Sequence, residues 1–238
     1  MRGLFITGTD TNVGKTVVAA ALMLRYRDEA PLRYWKPIQT GIRDPGSGIR
    51  SDDDTAEVAR LSRASETEVL GCGVRLPDPV SPHLAAQRVS ARITVRELVA
   101  IARQVDHGEP RIPNPESRPR WIVEGAGGAL VPLNERETMA DLMQALDLPV
   151  LIAARSTLGT INHTCITIEV LRRRMLRVAG VVMVGEANDE NRLAIERYGA
   201  AEVIAQMPRF DSLTPEVLEA WARAEFDRSG VLFVGALR

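Results

Sequence analysis

The stretch Gly8-Thr9-Asp10-Thr11-Asn12-Val13-Gly14-Lys15-Thr16 decides how the rest of this 238-residue chain is read. Before it runs Leu4-Phe5-Ile6-Thr7, short and apolar enough for a buried strand. After it Val17 to Leu24 is unbroken apolar sequence of helical length. Strand, glycine-punctuated loop, Gly-Lys-Thr and helix together predict a phosphate-binding loop. The first amides of a helix have no partner within it, and its N-terminus carries partial positive charge, so an anion docks there. Lys15 adds a full charge within reach of β and γ phosphates, and Thr16 adds a hydroxyl for magnesium. The loop is a variant, because its first glycine lies one position further back than in the common pattern, at Gly8.

A formal net charge of −1, with acids and bases intermixed, gives no electrostatic case for nucleic acid or an anionic membrane surface. Every apolar run is shorter than a membrane span. Two cysteines, Cys72 and Cys165, in a chain that opens on no signal-peptide pattern predict free thiols in the cytoplasm. Of the 30 basic residues only Lys15 and Lys36 are lysines. An arginine-biased chain that keeps lysine at two places suggests that a compact point charge matters there.

Further along, Arg33-Tyr34-Trp35 reads as a strand ending in Lys36-Pro37-Ile38-Gln39-Thr40-Gly41. Ligands gather at the carboxyl ends of strands in open parallel sheets, which puts Lys36 and Thr40 beside the phosphate loop. Arg43 to Arg50, rich in Gly, Pro and Ser, is expected as a surface loop. The acids Asp52-Asp53-Asp54 before the helical pattern Thr55 to Leu61 fit either an N-cap or a magnesium ligand. Leu76 to His83 is too proline-rich for regular structure, and a helix starts at Leu84. Thr94 to Val105 reads as an amphipathic helix, and Gly108 to Pro119 as an exposed connection.

Trp121-Ile122-Val123-Glu124-Gly125-Ala126-Gly127-Gly128 reads as a strand ending in an acid, the layout of a second nucleotide motif whose carboxylate serves magnesium. From there helices (139–146, 162–173, 190–198) alternate with strands (150–154, 179–184, 202–205). That alternation predicts an α/β fold: one P-loop NTPase-like domain over residues 1–238, a mostly parallel sheet with helices on both faces. Ser156 to His163 opens a helix and fits either an ordinary cap or a carboxylate site. Gln206-Met207-Pro208-Arg209-Phe210 follows a strand and could offer backbone groups and a ring to a base. Thr214 to Asp227 reads as a last helix, then Val231 to Val234 as an apolar tail.

In order, Gly8 to Thr16, Lys36-Pro-Ile-Gln-Thr40-Gly41, Ser81-Pro-His-Leu84, Val123-Glu-Gly-Ala-Gly-Gly128 and Leu158-Gly-Thr-Ile-Asn162-His163 resemble dethiobiotin synthetase through most of the chain. The resemblance implies ATP-dependent closure of a cyclic urea in biotin biosynthesis: 7,8-diaminononanoate and CO2 give dethiobiotin, ADP and phosphate through a carbamate and a carbamic-phosphoric anhydride. It implies that Thr11, Asn12, Val13, Gly14, Lys15, Thr16 and Val17 cradle ATP, with Gly125, Ala126, Gly127, Pro208, Arg209 and Phe210 completing the nucleotide site. Lys15, Lys36 and Thr11 serve the reaction on this reading. Thr16, Asp54 (Asp53 as fallback) and Glu124 hold Mg2+. Thr40 holds substrate with Leu158, Gly159, Thr160 and Asn162 of a neighbouring subunit, so the enzyme is expected to be a homodimer with its site at the interface. Asn12 stands where many relatives have glutamate, and Val184-Gly185-Glu186 where an asparagine often meets the base. Asn188 or Pro208 to Phe210 is expected to compensate. The rival is a partition or regulatory ATPase acting as a nucleotide switch. Such proteins usually carry a lysine near the loop's start, where this chain has Thr9 and Asp10.

Overall fold

A computed structural model describes residues 1–42, 53–107 and 118–232. The loop expected at 43–50, the first acid of the cluster, Asp52, most of the connection at 108–119 and the end of the apolar tail lie outside the described residues. In chain order the elements are β1 (Gly3–Gly8), α1 (Lys15–Tyr26), β2 (Leu32–Trp35), β3 (Ile38–Thr40) and α2 (Asp54–Ser62). Then come β4 (Val69–Leu70), β5 (Val74–Leu76), α3 (Pro82–Arg88), α4 (Val95–His107) and β6 (Arg120–Gly128). The chain continues through α5 (Met139–Leu146), β7 (Val150–Arg155), α6 (Thr160–Arg173), β8 (Val178–Val184), α7 (Asp189–Gly199), β9 (Val203–Met207) and α8 (Pro215–Glu225).

Seven strands pair in the order β4-β2-β6-β1-β7-β8-β9, and every pairing is parallel. Parallel strands need crossovers, and the helices that supply them bury the sheet on both faces. Strand alternation sorts the core into two. Leu4 and Ile6 face α1, α2 and α8, packing with Val18, Leu22, Val58, Leu61 and Leu218. Phe5 faces the other way, into a core with Ala85, Leu98, Met139, Met143, Ile168 and Ile195 from α3 to α7. Helix α1 is apolar nearly all round because the sheet, α2 and α8 enclose it, and Ala19 to Leu24 are all buried.

Three expectations change. Glu124 is not at a strand end: β6 runs on through Gly128, and its register against β1 shifts between Ile6 and Gly8. Gln206 and Met207 belong to β9 rather than to the loop after it, paired with Met183 and Val184. The third is the helix expected to start at Leu84: α3 begins at Pro82, which the first helical position tolerates. Three short strands, which carry no periodic signal, were not expected. β4 edges the main sheet, and β3 pairs with β5 in a separate two-stranded sheet. β3 of that small sheet follows Lys36 directly, and its Gln39 and Thr40 supply part of a cleft wall.

Candidate functional site

The loop between β1 and α1 closes on two left-handed residues, Asn12 (φ 55°) and Gly14 (φ 92°), and Gly14 caps α1. A Cβ at Gly14 would lie 3.0 Å from the Val184 side chain, so glycine is needed for space as well as for conformation. Lys15 and Thr16 are thus the first residues of the helix, beside its unpaired amides. Lys15 folds back over the loop, its Nζ donating to the Asp10 carbonyl at 3.1 Å.

A cleft of about 700 Å³ opens here. One wall is Thr11, Asn12 and Gly14 to Val17; the other is Lys36, Gln39, Thr40, Gly41 and Pro79 to Pro82. Asp54, Glu124, Ala126 and Gly127 also line it. Glu124 is 0% exposed and fully engaged. Its Oε1 accepts from Lys36 Nζ at 2.6 Å and from Thr16 Oγ1 at 3.1 Å, while its Oε2 accepts from Tyr34 Oη at 2.8 Å. Asp54 Oδ1 lies 3.0 Å from Thr16 Oγ1, and Asp54 Oδ2 pairs with Lys36. Two carboxylates therefore share one hydroxyl and one ammonium.

Burial opposes charge on Lys36, but Glu124 and Asp54 outweigh it and hold its ammonium above the ordinary lysine range. At Lys15 burial wins, aided by Lys36, and the ammonium is lowered despite Glu124. The Tyr34 phenol is pushed well up by burial and by Glu124, so it is a donor at any working pH.

The acidic cluster divides between its two readings. Asp53 caps α2, its side chain accepting from the Thr55 amide at 2.9 Å, whereas Asp54 faces Thr16 and Lys36. Val13 and Gly125 lie behind the cleft. Val13 is buried against α1, and a Cβ on Gly125 would meet the Phe5 ring at 2.8 Å. The turn Leu158-Gly159-Thr160 and Asn162 does not line the cleft of its own chain; Leu158 is fully exposed and Gly159 caps α6 with φ 92°. Pro208, Arg209 and Phe210 do not line it either. Phe210 meets Trp221 edge to face, with ring centroids 6.1 Å apart, which anchors the loop to α8. Asn188 is taken up as the N-cap of α7, accepting from the Asn191 amide at 2.8 Å.

Sequence reasoning passed over Tyr34, Gln39 and the Pro79 to Pro82 wall. Tyr34 was within reach: it stands two residues before Lys36, on the same face of an extended segment. The wall was not, since it depends on β3 pairing with β5.

The AAA domain family matches residues 2–217. The ATP-dependent dethiobiotin synthetase BioD of Paramagnetospirillum magneticum is 45% identical over 90% of this chain and 91% of its own length. That of Agrobacterium fabrum is 39% identical over 97% of each chain. The biotin biosynthesis bifunctional protein BioCD of Bordetella avium is 39% identical over 93% of this chain, which spans 43% of that protein. Among solved structures, a ParA family ATPase from Chlorobium tepidum superposes with a TM-score of 0.55 at 10% identity, covering 93% of this chain and 97% of that one, which bears on the fold alone.

Proposed function

The chain belongs to the ATP-dependent dethiobiotin synthetase family, whose members are ligases of biotin biosynthesis, and from that premise we propose how its cleft performs the ring closure. The observation that carries the reading is the meeting of Lys36, Asp54, Glu124 and Thr16 at the N-terminus of α1. A nucleotide-binding loop alone needs no buried second lysine.

Residues 1–238 act as one synthetase domain. Thr11 to Val17 cradle the phosphates of ATP, with the free amides of α1 and Lys15 taking their charge. Thr16, Asp54 and Glu124 fit a magnesium ion: two carboxylates already meet the Thr16 hydroxyl, at 3.0 and 3.1 Å, giving three hard oxygens, few enough to leave places for phosphate and water. Such an ion neutralises phosphate charge and helps orient the transferring group.

One amine of diaminononanoate bonds to the carbon of CO2, losing a proton and leaving a carbamate. A carbamate oxygen then attacks the γ-phosphorus and ADP departs. The second amine attacks the resulting anhydride carbon and loses a proton, the C–O bond to phosphate breaks, phosphate leaves and the urea ring closes. Lys36 and Lys15 hold the charge that develops on the carbamate and phosphoryl oxygens, Thr11 orients them, and Thr40 positions the substrate end. Catalysis of this kind is mostly positioning and charge stabilisation. Gly125, packed on Phe5, seats the strand behind the cleft so that Ala126 and Gly127 let the backbone approach the nucleotide, and Pro208 to Phe210 flank its base.

The substrate carboxylate is held by Leu158, Gly159, Thr160 and Asn162 of a second copy, making the enzyme a homodimer. The full exposure of Leu158, and that turn's distance from its own cleft lining, support this. We place the enzyme in the cytoplasm, with Cys72 and Cys165 as free thiols. Among the described residues no helix is long and apolar enough to cross a membrane.

The switch-ATPase alternative is not favoured. At the loop start Asp10 pairs with Arg155 at 2.9 Å, where such a switch would carry a lysine. Phosphate release from ATP tests the choice. It should depend on diaminononanoate and bicarbonate together; release stimulated instead by DNA or a protein partner would overturn the synthetase mechanism.

A further inference from the structure

We infer that Tyr34 is a positioning residue that sets the metal selectivity of the site by restricting Glu124 to one-oxygen coordination. The inference rests on the magnesium reading of Thr16, Asp54 and Glu124. Tyr34 lies on β2, fully buried, one strand over from Glu124 on β6; Tyr34 pairs with Ile122 in register, which brings its phenol alongside the carboxylate. The two oxygens of Glu124 are unequal. Oε1 faces Thr16 and Lys36, the groups that line the cleft, whereas Oε2 is held by Tyr34 Oη at 2.8 Å in the protein interior.

The Tyr34 phenol ties Oε2 to the interior side and hinders the carboxylate from turning both oxygens to a cation, which leaves Oε1, on the cleft side, as the oxygen offered once Lys36 moves aside. Magnesium accepts that arrangement, because it is small and near-octahedral and takes one oxygen from each of one or two carboxylates. Calcium is larger, takes more oxygen ligands and readily uses both oxygens of a carboxylate. Tyr34 therefore acts on selectivity as well as on affinity: it orients Glu124 for magnesium and withholds the second oxygen that calcium would use. Outer partners of metal ligands commonly change metal affinity by about 10- to 100-fold when removed.

The test is Tyr34→Phe in the full chain without nucleotide. Mn2+ is bound, followed by its electron paramagnetic resonance signal, and displaced with Mg2+ or with Ca2+. The deciding readout is the ratio of the two displacement midpoints, which a purely structural loss would leave unmoved. In Tyr34→Phe the ratio should shift about ten-fold toward Ca2+. An unchanged ratio, or a shift toward Mg2+, overturns the inference whatever happens to absolute affinity. Glu124→Gln separates the two layers. If it leaves Mn2+ binding unaltered, or if the parent protein binds no Mn2+, the magnesium reading falls and takes the inference with it. If binding is lost in Glu124→Gln and the Tyr34→Phe ratio stands still, only the inference falls.

Discussion

Lys36 Nζ lies 2.6 Å from Glu124 Oε1 with both side chains buried, so the second lysine of this chain neutralises a carboxylate that its own chemistry needs elsewhere. The ammonium sits between the two acids that a metal ion would join, and like charges at such separations repel strongly. On the proposed magnesium reading, a cation held by Asp54 and Glu124 would compete with Lys36 for the same carboxylates and would leave its ammonium free for the phosphoryl group.

Replacing Lys36 with methionine separates these roles. Turnover should fall by orders of magnitude, while Mn2+ affinity of the nucleotide-free protein rises. The variant should also lose about 3 kcal/mol of stability, because Glu124 is left with an uncompensated buried charge. Added Mg2+ should restore part of that loss. Urea unfolding with and without Mg2+, beside steady-state kinetics, checks all three; near-parental turnover would remove Lys36 from the reaction.

The neighbouring acids Asp53 and Asp54 should answer differently. Asp53→Ala removes the cap of α2 and should cost about 1 kcal/mol with little change in kinetics. Asp54→Asn should also cost stability, since buried Lys36 loses one of its two acids, but unlike Asp53→Ala it should sharply raise the Mg2+ concentration needed for half-maximal activity. The opposite pattern would return the metal role to Asp53.

Base recognition should be shallow. The β8 end presents Val184 against Gly14, and Asn188 is engaged in capping α7. ATP is expected to support turnover, with CTP and GTP within an order of magnitude. Asn188→Ala should lower stability without altering the ranking of nucleotides. A strong pyrimidine preference in competition assays would contradict this.

Asp141 supplies a pH test remote from the cleft. Burial works to raise its carboxyl, but hydrogen bonds from Thr138 and Arg174 outweigh that and hold it below the ordinary range. A lowered folded value means stability that is present above the ordinary aspartate value of about 4 and lost as pH falls through the lowered one. Asp141→Asn should cost under about 1 kcal/mol at neutral pH, since the group is partly exposed. The difference from the parent should vanish in acid, as read from urea midpoints across the pH range.

Much of this architecture was legible in the sequence. The loop at Gly8 to Thr16 and the alternation after Glu124 were enough for a parallel α/β sheet, because buried parallel strands are near-continuous apolar runs. Lys36 stood out by being one of two lysines. Tyr34 did not, for an aromatic in a strand is usually core; its place two residues before Lys36 put it on the right face, but the bond to Glu124 comes from the register of β2 against β6. The β3–β5 wall escaped because three-residue strands have no period to read. Between Asp53 and Asp54 the resemblance favoured Asp54, and the turn at the start of α2 accordingly makes Asp53 the cap and sets Asp54 against Thr16 and Lys36.

The most direct measurement supplies purified protein with diaminononanoate, carbon-labelled bicarbonate and magnesium ATP. The expected result is acid-stable label in dethiobiotin, formed one for one with ADP and phosphate and abolished in Lys36→Met. Absence of any ATP-dependent labelled product, with ATP hydrolysis driven instead by a DNA or protein partner, would contradict the central claim.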